Sequence, residues 1–258
     1  LGWATQKKAL RAMAYYDHTP LRMLPENRVD ELCPDGVCPK LVFLPSAQGL
    51  TEKAWQLLLG YVEKGGTLLL TGPVNRDEHW MEVDRTGPLG VKAEVMPLAV
   101  RGSSLMLPEG KTFTVGFPAD VQQSSVETMQ FADGKTVEVI PHGSGKMLWA
   151  SNPVELAEGY EATDALYRWA LDQAAVKTPF RETTPLSNAV LAFPTVLNDA
   201  ELYSFSNESA NHQPVDIVDA LTGVRIRFAM EPQRGAALLL NRQGKVLASY
   251  GGAALAAR

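Results

Sequence analysis

Residues 40–71, KLVFLPSAQGLTEKAWQLLLGYVEKGGTLLLT, decide the fold. Lys40 to Leu44 is a continuous apolar run closed by Pro45 and Ser46, which predicts a strand buried on both faces of a parallel sheet. A helix follows, with Thr51 as its N-cap, Leu50 and Trp55 as a hydrophobic staple, and Ala54, Leu58, Tyr61 and Val62 as its buried stripe. Gly65-Gly66 ends the helix, and Thr67 to Thr71 predicts a second buried strand. The stretch reads as one strand-helix-strand unit with a right-handed crossover.

On the N-terminal side, LGWATQKKALRAMAYYD reads as a helix with Trp3, Leu10, Met13 and Ala14 able to share one face, and Leu21 to Leu24 reads as a short strand ending at Pro25. The chain starts directly on that helix with no strand ahead of it. The expectation is a fragment of a longer polypeptide, which leaves bacterial cytoplasm, periplasm and secretion all open. On the C-terminal side, short alternating runs from about residue 92 (Phe113 to Phe117, Val126 to Phe131, Thr136 to Ile140) predict a β-rich insertion. The parallel pattern resumes at Lys146 to Ala150, with a helix over 160–174. TPFRETTP (178–185) reads as a linker. Six runs near 188–193, 201–206, 214–218, 224–229, 236–240 and 245–249 have the spacing of a small β-sandwich, and GGAALAAR reads as a frayed tail.

The composition narrows the function. The 258 residues are 45% apolar and 21% charged, the proportions of a globular chain rather than of disorder or coiled coil. A net charge of −5 supplies no positive field for a phosphate backbone, so nucleic acid is not an expected partner. No apolar run reaches the roughly 18 residues of a membrane helix, and the N-terminus lacks the order of a signal peptide. Cys33 and Cys38, in ELCPDGVCPK, have a spacer that permits a disulfide, which suits an extracytoplasmic enzyme, and equally permits two free thiols. Without His or further Cys nearby they form no zinc site.

The phrase LVFLPSAQGLTEKAWQLLLGYVEKGGTLLLTGP resembles the glutamine-amidotransferase-like, or trimerisation, domain behind the catalytic barrel of family 42 β-galactosidases and related glycoside hydrolases. Pro45, Ser46, Tyr61, Val62, Gly65, Gly66 and Thr67 stand at the positions of its motif. A second match joins Gly143, Gly145, Lys146, Pro153 and Glu155 to the closing strand of that domain, and residues 202–240 are similar to the small C-terminal β-domain of such hydrolases. The resemblance implies a flavodoxin-like α/β domain over 1–178 with a β-rich insertion at about 75–140, then a β-sandwich over 183–250. It also implies that the two catalytic carboxylates lie upstream, on a barrel of the same polypeptide, and that this chain supports a homo-oligomer or walls the carbohydrate cleft.

An active amidotransferase needs a cysteine on a strained strand-to-helix elbow. The elbow after 67–71 reads Gly72, Pro73, Val74, Asn75, and the two cysteines lie on another connection. No catalytic residue is therefore assigned. Glu155, Glu158 and Glu161 read as carboxylates at a helix start, favourable to its dipole and solvated, rather than as a glycosidase pair. Asp77, Glu78, Glu82 and Asp84 read as a solvated acidic loop. Within that loop, Asn75, Asp77, His79 and Trp80 are the candidate binding residues, because open parallel sheets bind ligands beyond the carboxyl ends of their strands and an indole can stack on a sugar. The competing reading packs Trp80 against the insertion. HGSGK fails as a phosphate loop, since Ile140 and Met147 occupy the required Gly and Ser/Thr positions, and reads as a hairpin turn. His18, His79, His142 and His212 are scattered, so neither metal nor cofactor is expected. A carbohydrate-binding module using the sandwich or the Trp80 loop is the alternative reading.

Overall fold

The 40–71 stretch forms a strand, a helix and a strand in a computed structural model that describes residues 2–98, 102–123 and 126–256. The chain divides into two units, Leu1–Leu10 with Arg22–Val176, and Arg11–Leu21 with Lys177–Arg258. The first holds α1 (Gly2–Arg11, through Leu10), β1 (Leu41–Pro45), α2 (Glu52–Glu63), β2 (Thr67–Thr71), β3 (Ala93–Pro97), β4 (Ser103–Met106), β5 (Thr112–Val115), α3 (Ala119–Gln123), β6 (Glu127–Phe131), β7 (Val137–His142), β8 (Gly145–Ala150) and α4 (Glu161–Gln173). Its central sheet has the order β1-β2-β8-β7, with the first three strands parallel and β7 antiparallel to β8.

Alternation across this sheet sorts its side chains between two layers. Leu68, Leu70, Met147 and Trp149 pack in one core with Ala54, Trp55, Leu58, Tyr61 and Val62 of α2. On β1, Phe43 meets Tyr167 of α4 at a ring separation of 4.7 Å. The Thr51 hydroxyl accepts from Ala54 N at 3.2 Å, which satisfies one of the unpaired N–H groups of the first turn. Thr51→Ala is expected to lower stability by about 1 kcal/mol, measured as a shift of the urea midpoint. The β7–β8 turn needs small residues. A Cβ at Gly145 would lie 2.2 Å from the carbonyl oxygens of Val62 and Gly66, and Gly143 has φ +58°. Between β2 and β7, β3 pairs with β6 and β4 with β5. Cys33 and Cys38 are joined as a disulfide, and Cys33 packs against the α2 core.

The second unit begins with a π-helical turn, Ala12–Tyr16, and continues as β9 (Phe180–Glu182), β10 (Val190–Val196), β11 (Ala200–Asn207), β12 (Gln213–Asp219), β13 (Arg225–Met230), β14 (Gly235–Asn241) and β15 (Val246–Tyr250). Two antiparallel sheets, β10-β11-β14-β15 and β13-β12-β9, share a core that includes Val190, Tyr203, Phe205, Val215, Ile217, Ile226, Leu238 and Leu240.

Five local expectations change. β1 lies at the sheet edge and is half-buried throughout, not buried on both faces. Residues 21–24 form no strand; Pro20 and Pro25 flank them and no strand pairs with them among the described residues. The opening helix does not belong to one unit throughout: residues 11–21 group with the second, where Ala12 and Met13 are buried. The 178–185 linker contains β9, because Phe180 is apolar enough to enter the second core while the backbone of Phe180–Glu182 pairs with β12. The tail is not frayed through Ala256: Ala253 is buried, Leu255 bridges Ile226, and Arg227 N donates to Ala254 O.

Candidate functional site

β2 is followed by Gly72, whose φ of +69° turns the chain against Pro153. The next residues form a narrow loop that returns along itself, with an Arg76–Glu82 bridge and Val83 N donating to Asn75 O at 3.0 Å. Asp77 closes its tip. One carboxylate oxygen accepts from His79 N at 2.9 Å and Met81 N at 2.8 Å, the local bonding that makes Asp a turn residue. Asp77 is thus committed to the loop backbone. His79 is exposed, and Trp80, 61% exposed with φ +66°, lies over Gly49 rather than on the insertion.

Arg85 fastens the base of this loop. It is only 4% exposed, and its guanidinium donates to Val74 O at 3.0 Å, Arg76 O at 3.1 Å and Leu50 O. It also lies 5.6 Å above the Trp55 ring, a favourable cation–π distance. Burial lowers its pKa from the ordinary arginine value, opposed by Glu52, Asp77, Glu78 and Glu26.

Asn75 is drawn into a polar cluster instead of joining Asp77 and His79. Glu127, at the start of β6, accepts from Arg76 Nη2 at 2.9 Å, Gln48 Nε2 at 3.0 Å and Asn75 Nδ2 at 3.3 Å. Gln48 Nε2 also reaches Asn75 Oδ1 at 3.4 Å. Beside this cluster is an open cavity of about 410 Å³, walled by Asn75, Glu82, Asp84, Arg85, Thr86 and Glu127 over apolar groups that include Val74, Met129 and Trp149. Of the four residues proposed from sequence, only Asn75 lines it.

A second set of polar groups is buried at the carboxyl ends of β1, β2 and β8. Glu155 is 2% exposed, which overturns its reading as a solvated carboxylate. Thr71 Oγ1 and Tyr167 OH each donate to it at 2.6 Å, and Ser46 N donates to Thr71 Oγ1 at 3.0 Å. Burial raises the Glu155 pKa, and hydrogen bonds from Thr71 and Tyr167 and the charge of Lys8 work against the rise. Sequence spacing places Glu155 near Glu158 and Glu161, but a short 3-10 turn, Val154–Leu156, points it inward. No group of three or more His, Cys, Asp or Glu residues suited to a metal occurs among the described residues.

Sequence reasoning missed Arg85 and Glu127. Glu127 lies 52 residues beyond Asn75 and returns on β6, which pairs with β3 and bonds to Ser151 after β8. Arg85 carries one readable signal, a cation just after the acidic run. The cavity wall holds carboxylates, one amide, a hydroxyl and apolar groups, and Glu127 already receives three hydrogen bonds.

No family model and no curated protein matches the sequence. Solved structures do match its fold. Gan42B, a GH42 β-galactosidase from G. stearothermophilus, superimposes with TM-score 0.66 at 13% identity, over 91% of this chain and 35% of that one. The β-galactosidase from Bacillus circulans sp. alkalophilus gives 0.63 at 13%, over 91% and 37%. The β-galactosidase from the haloarchaeon Halorubrum lacusprofundi gives 0.57 at 17%, over 91% and 35%. The chain has the fold of a part of these proteins and spans about a third of their length.

Proposed function

We propose that this chain is a non-catalytic, C-terminal part of a glycoside hydrolase of the β-galactosidase type. In this reading its α/β part is a flavodoxin-like, amidotransferase-like scaffold, its second part is a β-sandwich, and a catalytic barrel lies upstream in the same polypeptide. Its work is to hold subunits of a homo-oligomer together and to wall the carbohydrate cleft. One observation carries the proposal: nine-tenths of the chain follows the fold of a third of GH42 β-galactosidases, while the turn after β2 is Gly72-Pro73-Val74, with no nucleophile.

The test is turnover and mass. The purified chain is expected to hydrolyse neither an aryl β-galactoside nor glutamine above buffer, and to sediment as a multiple of its 28.1 kDa. Turnover abolished by one substitution, Glu155→Gln first, overturns the non-catalytic reading. A monomer at all concentrations overturns the oligomer. A carbohydrate-binding role is favoured by the exposure of Trp80 at the loop tip, and a glycan array with Trp80→Ala as comparison tests it.

A further inference from the structure

β7 ends one side of the central sheet and, among the described residues, pairs with β8 alone. Lys146 N of β8 donates to Gly66 O on the β2 side, whereas Ser151 N donates to Thr136 O on the β7 side. Alternation along the ladder then turns the backbone of Thr136, Glu138, Ile140 and His142 toward β8, and that of Val137, Val139 and Pro141 away from it. Val137 is buried, while Val139 and Pro141 are exposed. The open part of the edge therefore offers the N–H and C=O of Val139 and the C=O of Pro141. Proline stands here where its missing N–H breaks no ladder bond.

A groove of about 350 Å³ lies along this edge. Glu138 to Pro141 all line it, and because consecutive side chains point to opposite faces of a strand, a cavity touching all four follows the edge itself. The opposite wall is a second continuous run, Leu89 to Lys92, which leads into β3. Walls on both sides favour a single extended segment over the edge of another folded sheet, including β7 of a second copy. Four strand residues span about 13 Å, so the contact is about four residues long. Leu89, Val91 and Val139 give it accessible apolar surface. Charge adds a further requirement. Asp133 and Glu138 on the rim are both paired with Lys135, while Lys92 is exposed and makes no ion pair among the described residues. The uncommitted charge of the groove is positive, which suits a carboxylate on the occupant.

We propose that the groove between β7 and residues 89–92 docks an extended peptide segment of another protein, apolar at alternate positions and acidic opposite Lys92, which adds a strand to β7. The proposal does not depend on the glycoside-hydrolase reading. The experiment titrates the intact chain with a blocked heptapeptide alternating valine and threonine around a central glutamate, followed by calorimetry and nitrogen–proton correlation spectra. The peptide is expected to bind, to shift the Val139 amide signal and to slow its hydrogen exchange at least tenfold, a readout on the unsubstituted chain that no variant's folding affects. N-methylation of alternate peptide amides, made in both phases, is expected to abolish binding in at least one phase, since one set of amides faces β7. Lysine in place of the glutamate is expected to weaken binding at least threefold, and Lys92→Glu to reverse that preference. Val139→Pro removes the one N–H of the open edge and is expected to weaken binding at least tenfold. No binding at millimolar peptide, equal binding by the parent and both N-methylated peptides, slowed exchange elsewhere but not at Val139, or an unreversed charge preference each overturns the assignment.

Discussion

Trp149→Ala is expected to destabilise the first unit by about 4 kcal/mol, within the range for truncating a buried tryptophan. Trp149 is fully buried on β8, which is hydrogen-bonded to β2 and β7. Its indole belongs to the core formed with α2, and its Nε1 donates to Gly72 O at 2.9 Å. Two losses therefore combine: packed apolar area, and the hydrogen bond on the carbonyl that begins the turn after β2. Trp149→Phe separates them. It keeps most of the ring area and leaves the Gly72 carbonyl unpaired, so its expected cost is about 1–2 kcal/mol. Urea titrations followed by far-ultraviolet circular dichroism measure both. Equal costs for the two variants would place the effect on the hydrogen bond alone, and a cost below about 1 kcal/mol for Trp149→Ala would contradict a packing role.

The α/β core was legible because its signals are local. An apolar run ending at Pro45, a cap at Thr51 and a Gly-Gly stop each act within a few residues, and the structure places β1, α2 and β2 within one residue of the expected ends. The six later strands of the second unit were legible from their regular spacing between turn signals. Residues 21–24 show where local reasoning ends. A short apolar run becomes a strand only if a neighbouring backbone is in reach, and pairing is not written in the run itself. The candidate site shows the same division. The general habit of parallel sheets pointed to the loop after β2, with Asn75, Asp77, His79 and Trp80, of which only Asn75 lines the cavity. The groups that surround it, Arg85 and Glu127, depend on a returning loop and a distant strand pairing. Burial was the hardest quantity to read: Glu155, Glu201 and Asp219 carry ordinary surface residue types and are all at most 2% exposed, because their partners, Thr71, Tyr167, Tyr203 and Thr222, come from other elements or turns.

Glu201, beside Asp219, gives the second unit a stability that falls as pH rises. Asp219 is buried, which works against its ionisation, but hydrogen bonds from Thr222 and Tyr203 OH, the latter at 2.7 Å, hold its carboxyl below the ordinary value. Glu201 has no such set of donors, and one of its carboxylate oxygens is buried without a partner. Burial first, then the Asp219 charge, pushes its pKa up to about 7, with Arg242 acting in the opposite direction. Between the ordinary value of 4.5 and about 7 the folded chain retains a proton that the unfolded chain releases. Stability from this group is therefore complete below the lower value, declines through the window, and is flat above it. The span corresponds to at most about 3–4 kcal/mol at roughly 1.4 kcal/mol per pH unit. Glu201→Gln replaces the protonated carboxyl by a neutral amide that can still donate to Asp219. Urea midpoints of the second unit at pH 5, 6, 7 and 8 are expected to fall for the unsubstituted chain and to change much less for Glu201→Gln, with the two close at pH 5 and the variant the more stable at pH 8. The difference between the two chains isolates Glu201 from Glu155, whose raised pKa produces a slope of the same sign in the first unit. Parallel pH profiles for the two chains would mean that Glu201 carries no proton above its ordinary range.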